Sequence, residues 1–298
     1  MTPQADGLLL IDKPSGPTSH DVVARVRAAT GIRRVGHTGT LDPPATGLLA
    51  IVLGRATRLA RFLPAEPKHY AGELELGVTT STDDLQGEVL ARHAGPPPDS
   101  DDVLRAAGSL TGDRLQVPPA VSARQVAGQR LYRLARRGTP IEAPASRVHV
   151  ERFELEPTPS PLRWRFVAVV SSGTYVRALV RDLGRSLGGG AAVAALRRTA
   201  IGPLRVEDAI VLPARSEEIR DLAASHVVPL REIPLAVPSV RLADVEALCR
   251  FASGRAVSWP DGGGEEGLVA VFDATGELAG IGETLGSVLH PRVVLAER

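Results

Sequence analysis

The sequence predicts an α+β fold built on a mixed, largely antiparallel sheet. Short apolar strands and amphipathic helices follow one another without the regular strand–helix–strand repeat that a parallel α/β protein requires. The composition changes after about Arg231, where Gly and Asp punctuate several brief apolar runs. The 298 residues suffice for one large and one small domain. We therefore expect a large domain over residues 1–232 and a small β-rich domain over residues 233–298.

The N-terminal third supplies several predicted strands and one helix. Gly7 to Ile11 is a short apolar run that predicts a buried strand, and Gly47 to Leu53 is a second. Between them, Ser19 is predicted to be the N-cap of an amphipathic helix. Apolar residues alternate from Tyr70 to Val78, which predicts a strand with one buried face. Tyr70 lies on that apolar face, so its ring should point inward.

The middle of the chain is interpreted from the same periodicities. Trp164 to Val170 predicts a strand, and the stripe of apolar residues from Thr174 to Leu187 predicts a helix. A second helix is expected over Ala191 to Arg198, after a triple glycine. Gln116 to Gly128 has no clear period and predicts a long loop, whereas Gln129 to Arg137 returns to helical spacing.

The bulk composition is that of a globular protein, with 43% hydrophobic and 23% charged residues. No apolar run approaches the roughly 18 residues of a membrane span, and residues 1–7 lack the basic stretch and apolar core of a signal peptide. Cys249 is the single cysteine, which excludes an intramolecular disulfide and a cysteine-rich zinc site. We therefore expect a cytoplasmic protein that is not bound to a membrane.

The charge is unevenly distributed along the chain. Residues 1–206 contain 27 basic and 19 acidic residues, whereas residues 207–298 contain 8 basic and 15 acidic residues. Basic residues cluster in residues 25–68 and again in residues 124–147. Such clusters suit a polyanionic partner such as nucleic acid, but solvated helix faces explain charge alone equally well.

The most informative stretch is the loop from Gly36 to Gly47. Its single charged residue is Asp42, and arginines flank the loop on both sides. Positive neighbours favour the ionised form of a carboxylate, and an ionised carboxylate can act as a nucleophile. The alternative is that Asp42 only shapes the turn before Pro43, which is the commoner role of an Asp-Pro pair.

Other signatures that could explain this chemistry do not match. The run Thr38 to Leu41 is similar to the phosphorylated loop of ion-pumping ATPases, but Gly36 occupies the position of the phosphate-accepting aspartate. The sequence has no glycine-rich loop followed by Lys-Ser or Lys-Thr, which excludes a P-loop. It also has no His-Glu-x-x-His motif or Cys/His cluster that would indicate zinc.

The loop resembles the signature of the TruB pseudouridine synthases, Gly-His-Thr-Gly-x-Leu-Asp-Pro, over Gly36 to Pro43. Further motifs similar to those of that family follow in its order: Asp12-Lys13-Pro14 with Ser19, Lys68 with Tyr70, Val117-Pro118-Pro119 through Gly138, Gly173 to Arg177 with Asp182-Leu183-Gly184, and Leu196-Arg197-Arg198. The resemblance implies a pseudouridine synthase catalytic domain with a thumb-like RNA-binding insertion at about residues 116–147. Residues 233–298 resemble the small PUA-type RNA-binding domain of the family, with fewer marker residues.

The resemblance also implies a reaction, the isomerisation of the T-loop uridine of transfer RNA, at conventional position 55, to pseudouridine. The uridine would be flipped out of the RNA, and Asp42 would attack it. Arg177 would pair with Asp42, while Tyr70 would stack on the base and assist proton transfer. The isomerisation is redox-neutral, so no metal and no organic cofactor is implied.

The remaining residues that the resemblance assigns to the site are expected to contact substrate or RNA. His37 would lie near the vacated base, and Tyr175 and Leu196 would line the pocket. Lys13 and Lys68 are expected to be exposed and to touch phosphate or support the loop. A basic surface on the insertion would bind phosphates; its members are Arg124, Arg130, Arg133, Arg136 and Arg137. Ordinary packing or solvation is the competing interpretation for these side chains.

The expected partner is the T arm of transfer RNA, bound by a monomer with no obligatory protein partner. Three other functions remain open: modification of other RNAs under guide or partner control, RNA binding that assists tRNA folding, and a structural role with a dead site. Intact Asp42, Tyr70 and Arg177 argue against the last. The net negative charge of residues 233–298 is unusual for an RNA-binding appendage.

Overall fold

A central mixed sheet is the framework of the structure. The computed structural model describes residues 6–122, 125–126, 129–130, 143–259 and 266–295. The sheet has 11 strands, and two of its strand pairings are parallel while the others are antiparallel. The predicted α+β fold with a largely antiparallel sheet is therefore confirmed.

The strands of the large domain fall into one main sheet and two hairpins. The first are β1 (Gly7–Lys13), β2 (Val35–His37), β3 (Thr46–Leu53), β4 (Lys68–Leu76), β5 (Val78–Thr80), β6 (Val89–Arg92), β7 (Gly112–Gln116), β8 (Gln125–Val126) and β9 (Gln129–Arg130). Those that follow are β10 (Ser146–Pro157), β11 (Arg163–Val170), β12 (Ala191–Ile201), β13 (Leu204–Arg205), β14 (Ile210–Val211) and β15 (Val228–Pro229). The sheet runs β14-β1-β3-β12-β4-β11-β10-β7, with β2, β13 and β15 paired beside this path. Strands β3, β12 and β4 are therefore neighbours.

Four of the helices in the described residues pack on the sheet and cover its principal core, and the fifth packs against the C-terminal strands. The helices are α1 (Ser19–Thr30), α2 (Ser100–Gly108), α3 (Val176–Ser186), α4 (Ser216–His226) and α5 (Val245–Ala252), with 3-10 helices at Gly54–Phe62, Val206–Asp208 and Leu230–Glu232. The apolar stripe predicted for α3 is confirmed, because Leu179, Val180 and Leu183 are fully buried in the core. Among the described residues, no helix is long and apolar enough to cross a membrane.

The start of α1 differs from the prediction by one residue. Thr18 is the N-cap: its side chain accepts a hydrogen bond from the Asp21 amide, and the Asp21 carboxylate accepts one from the Thr18 amide. This reciprocal pair is a capping box, which satisfies donors that a helix start leaves free. Ser19, the predicted cap, is instead buried and faces the loop that contains Asp42.

The stretch predicted as a helix over Ala191 to Arg198 is part of strand β12. The prediction was wrong because alanine favours helices, whereas this stretch lies between β3 and β4 and is fixed by pairing along its whole length with β4. The helical spacing expected for Gln129 to Arg137 begins in the two-residue strand β9, and residues 131–137 lie outside the part of the chain that the structure describes.

The C-terminal residues form a second, five-stranded sheet that packs against the large domain. Its strands are β16 (Ser239–Arg241), β17 (Val257–Ser258), β18 (Gly267–Phe272), β19 (Leu278–Leu285) and β20 (Val288–Val294), in the order β16-β18-β19-β20-β17. Ile281 and Leu295 belong to the same buried cluster as Leu8 and Phe62. The two parts of the chain therefore share a core, and a domain division between residues 232 and 233 stays a prediction.

Candidate active site

The loop that contains Asp42 connects β2 to β3 and is held in place by three buried side chains. Ser19 from α1 is the first: its hydroxyl accepts from the Leu41 amide at 2.9 Å and donates to the Leu41 carbonyl at 3.2 Å. The loop also closes on itself, because the Ala45 amide donates to the Asp42 carbonyl at 3.1 Å. The residue before Asp42 is thus fixed to the helix through both of its backbone polar groups.

Arg198 on β12 is the second support of the loop. It is almost fully buried, and its guanidinium donates to the carbonyls of Gly39 at 3.1 Å, Thr40 at 3.2 Å and Leu48 at 2.8 Å. Hydrogen bonds from a charged donor are among the stronger ones in proteins. Arg198 therefore ties the loop to the sheet, a role for which the sequence offered only a motif match.

Lys13 at the end of β1 is the third support, which was one of its two expected roles, but its expected exposure was wrong. It was expected to be exposed, but its side chain is fully buried and its ammonium donates to the carbonyls of Pro14, Pro17 and Pro43 at 2.8, 2.9 and 3.1 Å. Two of these acceptors lie in the turn that follows β1, and the third directly follows Asp42. Burial lowers the pKa of Lys13 to about 8, with Asp42 acting in the opposite direction. Lys13 supports the loop and is not exposed to RNA.

Arg177 at the start of α3 forms an ion pair with Asp42. Its Nε lies 2.8 Å from Asp42 Oδ2, and the arginine side chain is 5% exposed while that of the aspartate is 39% exposed. The rest of the guanidinium donates to the carbonyls of Thr82 at 2.5 Å and Val121 at 3.0 Å and lies 3.7 Å from Asp84 Oδ2. A guanidinium held at so many points has a fixed plane, so it orients a carboxylate that remains reachable from outside.

A cavity of about 330 Å³ lies over this ion pair. Six of the residues predicted from the sequence line it together: Asp42, Lys68, Tyr70, Tyr175, Arg177 and Leu196. Its volume lies in the range of pockets that take small organic groups. Tyr70 and Leu196 come from the paired strands β4 and β12, and Tyr175 precedes α3. The site therefore forms where the two strands meet the first turn of α3.

Lys68 and His37 carry titratable groups near the cavity. Lys68 lies on its wall, and burial, followed by the charge of Arg198, lowers the pKa of its ammonium. His37 lies on β2 beside the cavity, where its ring meets the edge of His20 at a centroid distance of 5.4 Å. Burial and the charges of His20 and Arg198 lower the pKa of His37. Both surroundings favour the uncharged forms.

The structure does not describe the side chains of the predicted basic surface of the insertion. Arg124, Arg133, Arg136 and Arg137 lie outside the described residues, and of Arg130 the structure gives the backbone, in strand β9. The structure adds residues that the sequence did not single out, namely Asp84 beside Arg177 and Gln116, which is bonded to Tyr175. Gln116 had one signal, a polar residue between Leu115 and Val117, whereas Asp84 lies in a mostly polar stretch and had none. No group of three or more His, Cys, Asp or Glu that could hold a metal occurs in the described part of the chain.

The arrangement is suited to nucleophilic chemistry on a bound group. A carboxylate is aligned by a buried guanidinium, exposed to a cavity and accompanied by an aromatic ring with a hydroxyl.

The chain matches family models of pseudouridylate synthases, so the class of this enzyme is a pseudouridylate synthase, an isomerase. Residues 27–176 match the family model "TruB family pseudouridylate synthase (N terminal domain)". Residues 177–229 match "tRNA pseudouridylate synthase B C-terminal domain", and residues 238–295 match "Pseudouridine synthase II TruB, C-terminal".

Similar proteins agree with this class over the whole chain. The chain is 44% identical to tRNA pseudouridine synthase B of Thermobifida fusca, over 98% of this chain and 99% of that protein. It is 39% identical to the protein of the same name from Paenarthrobacter aurescens, over 97% and 95%. The chain belongs to the TruB family. A solved structure of a Cbf5-Nop10-Gar1 complex has the same fold, with a TM-score of 0.72 and 24% identity over 98% of this chain and 84% of that chain.

Proposed function

We propose that the protein isomerises the T-loop uridine of transfer RNA, at conventional position 55, to pseudouridine, with Asp42 as the nucleophile. The observation that carries the proposal is the Asp42–Arg177 pair at 2.8 Å, placed in a cavity that Tyr70 also lines. The choice of transfer RNA as substrate is supported by full-length relatives named tRNA pseudouridine synthase B.

The proposed reaction begins when the target uridine leaves the RNA stack and enters the cavity, as enzymes that act on bases require. Asp42 attacks the nucleotide, at C1′ of the ribose or at C6 of the base, and the bond that it forms breaks again before the product leaves, which restores the free carboxylate. The bond between C1′ and N1 breaks, the uracil turns over, and a bond between C1′ and C5 forms. C5 loses a proton and N1 gains one, so the isomerisation is balanced without an oxidant or a reductant.

Arg177 and Tyr70 have separate roles in this proposal. Arg177 is buried and bonded to two carbonyls as well as to Asp42, so it holds the attacking oxygen in position. Tyr70 is buried on β4 and lines the cavity, where its ring stacks on the uracil and its hydroxyl moves the proton from C5. Leu196 and Tyr175 complete the apolar wall, and Lys68 lies near the entering nucleotide.

The substrate is tested by incubating the wild-type protein with two transcripts of one elongator transfer RNA. One transcript has the natural T loop, and the other has cytidine in place of the target uridine. Pseudouridine mapping is expected to find one modified position in the first transcript and none in the second. Modification at other uridines in both transcripts would contradict the proposed substrate, and the absence of any pseudouridine would contradict the proposed reaction on transfer RNA.

A further inference from the structure

Residues 116–122 run from the last residue of strand β7 into the predicted insertion, form its start and are called the root segment. Two of its residues, Pro118 and Pro119, are buried and have no amide hydrogen to donate. A segment with fewer amide donors must be fixed through its acceptors or its side chains. The contacts that fix it come from α3 and from the residue just before that helix.

The root segment is tied to α3 at three points. The Gln116 side chain accepts from the Tyr175 amide at 2.8 Å and donates to the Tyr175 carbonyl at 3.2 Å. Arg177 donates to the Val121 carbonyl at 3.0 Å. Arg181 donates to the Val117 carbonyl at 2.8 Å. The helix that holds Asp42 through Arg177 therefore also holds the start of the insertion.

Arg181 is directed at the root segment by two carboxylates. Its guanidinium lies 3.1 Å from Asp83 and 2.9 Å from Asp182, and its side chain is 11% exposed. Asp83 is itself fixed, because its carbonyl accepts from the Val193 amide at 3.1 Å. Within the described residues it is the one non-glycine residue with positive φ, at 61°. Such a backbone is unfavourable for a residue with a Cβ and persists where the surroundings hold it.

Arg177 and Arg181 are four residues apart, so they are neighbours on one face of α3. Each joins the turn of residues 82–84 to the root segment. Without the bond from Arg181, the root segment is still held at Gln116 and Val121, but the proline-containing stretch between them loses its middle support. The start of the insertion is then less rigidly fixed.

We propose that Arg181, held by Asp83, is a positioning residue that fixes the root segment, at the start of the RNA-binding insertion, and thereby raises the affinity for RNA. Arg181 contacts neither Asp42 nor the cavity over it, so the chemical step is left to Arg177. The inference rests on the proposed function, because its consequence is an affinity for transfer RNA.

The test compares Arg181→Met with Arg185→Met. Arg185 lies on the next turn of α3, is 70% exposed and is 3.9 Å from Asp182, so its variant removes the same charge without removing a tie. For Arg181→Met we expect KM for transfer RNA to rise about tenfold, or about 1.4 kcal/mol, with kcat within about threefold of wild type. Hydrogen–deuterium exchange in the peptide of residues 116–122 should also accelerate. Arg185→Met should leave this exchange unchanged.

Two further variants separate positioning from general stability. Arg181→Lys keeps a charge for Asp83 but lacks the planar fork, and it should give an intermediate KM. Arg181→Met with Asp83→Asn removes the Arg181–Asp83 ion pair as a whole, so the fold is relieved of the unpaired Asp83 carboxylate while KM stays high. Equal effects of Arg181→Met and Arg185→Met, or a loss of kcat at unchanged KM, would overturn the inference. Inactive wild-type protein would instead contradict the proposed function, and the exchange measurement would still decide whether Arg181 holds the root segment.

Discussion

At the scale of single residues, the three arginines of α3 differ in burial and in bonding, although they recur every four residues. Arg177 and Arg181 are buried and bonded, whereas Arg185 is exposed. The spacing alone predicts that all three lie in one solvent-exposed stripe of the helix. What separates them is the carbonyl and carboxylate groups of distant segments, such as Asp42, which is 135 residues from Arg177 in the chain.

Replacing Arg177 by Met is expected to remove most of the turnover, because the carboxylate loses its alignment. RNA affinity should fall by no more than about tenfold, the effect expected for the loss of one tie of the root segment. We expect the single-turnover rate constant to fall by about 100- to 1000-fold, the usual effect of losing one preorganised charged group. Single-turnover assays and filter binding measure the two quantities. Arg177→Lys should lie between, and turnover near that of wild type in Arg177→Met would disprove the role of the pair.

At the scale of elements, the catalytic loop keeps its shape through β1, α1 and β12. Lys13, Ser19 and Arg198 come from these three elements and bind backbone groups of the loop. The sequence predicted the loop and its aspartate, because a lone charge among Gly, Pro and Thr is visible in one dimension. Support of the loop was one of two expected roles for Lys13, but its burial was not predicted, since a buried Lys or Arg has no local signal. The role of Arg198 was not predicted either, because it lies on a strand whose alanine content favoured a helix.

The pH dependence of turnover is expected to contain a descending limb near pH 8, the value to which burial lowers the pKa of Lys13. Below that pH the ammonium has three hydrogens for three carbonyls, and above it the amine has two, so the loop loses a contact as pH rises. Lys13→Met should be slower at pH 7 and should lack this limb. Lys68→Met is the control and should keep the descending limb. If the limb disappears in Lys68→Met but not in Lys13→Met, it arises from Lys68, and the role of the Lys13 ammonium is contradicted.

At the scale of the whole molecule, the second sheet is part of the same packing unit as the first. Arg55 donates to the Leu295 carbonyl at 2.7 Å, and Ala236 donates to the Phe62 carbonyl at 2.7 Å. The composition change near Arg231 indicated where the β-rich C-terminal part of the chain begins. It could not indicate that the two parts share an apolar core, because that depends on which faces meet. We therefore expect residues 1–232 on their own to be less stable than the full chain.

The shared core is tested by Leu295→Ala, with Val245→Ala as the control. Leu295 is 2% exposed and packs against the large domain, whereas Val245 is 72% exposed on the same small domain. Removing a buried leucine side chain is expected to lower the free energy of unfolding by about 2–5 kcal/mol, and removing the exposed valine side chain should change it by less than about 0.5 kcal/mol. Urea unfolding measures both. Equal stabilities of the two variants would contradict the shared core.

The measurement that tests the central claim most directly is pseudouridine mapping of an unmodified elongator transfer RNA after incubation with wild-type protein or with Asp42→Asn. The substitution keeps the shape of the side chain and removes its charge, so RNA affinity, measured by filter binding on the same samples, should be retained. We predict pseudouridine at the single T-loop position with wild type and none with Asp42→Asn. Undiminished product from Asp42→Asn would contradict the assignment of Asp42 as the nucleophile.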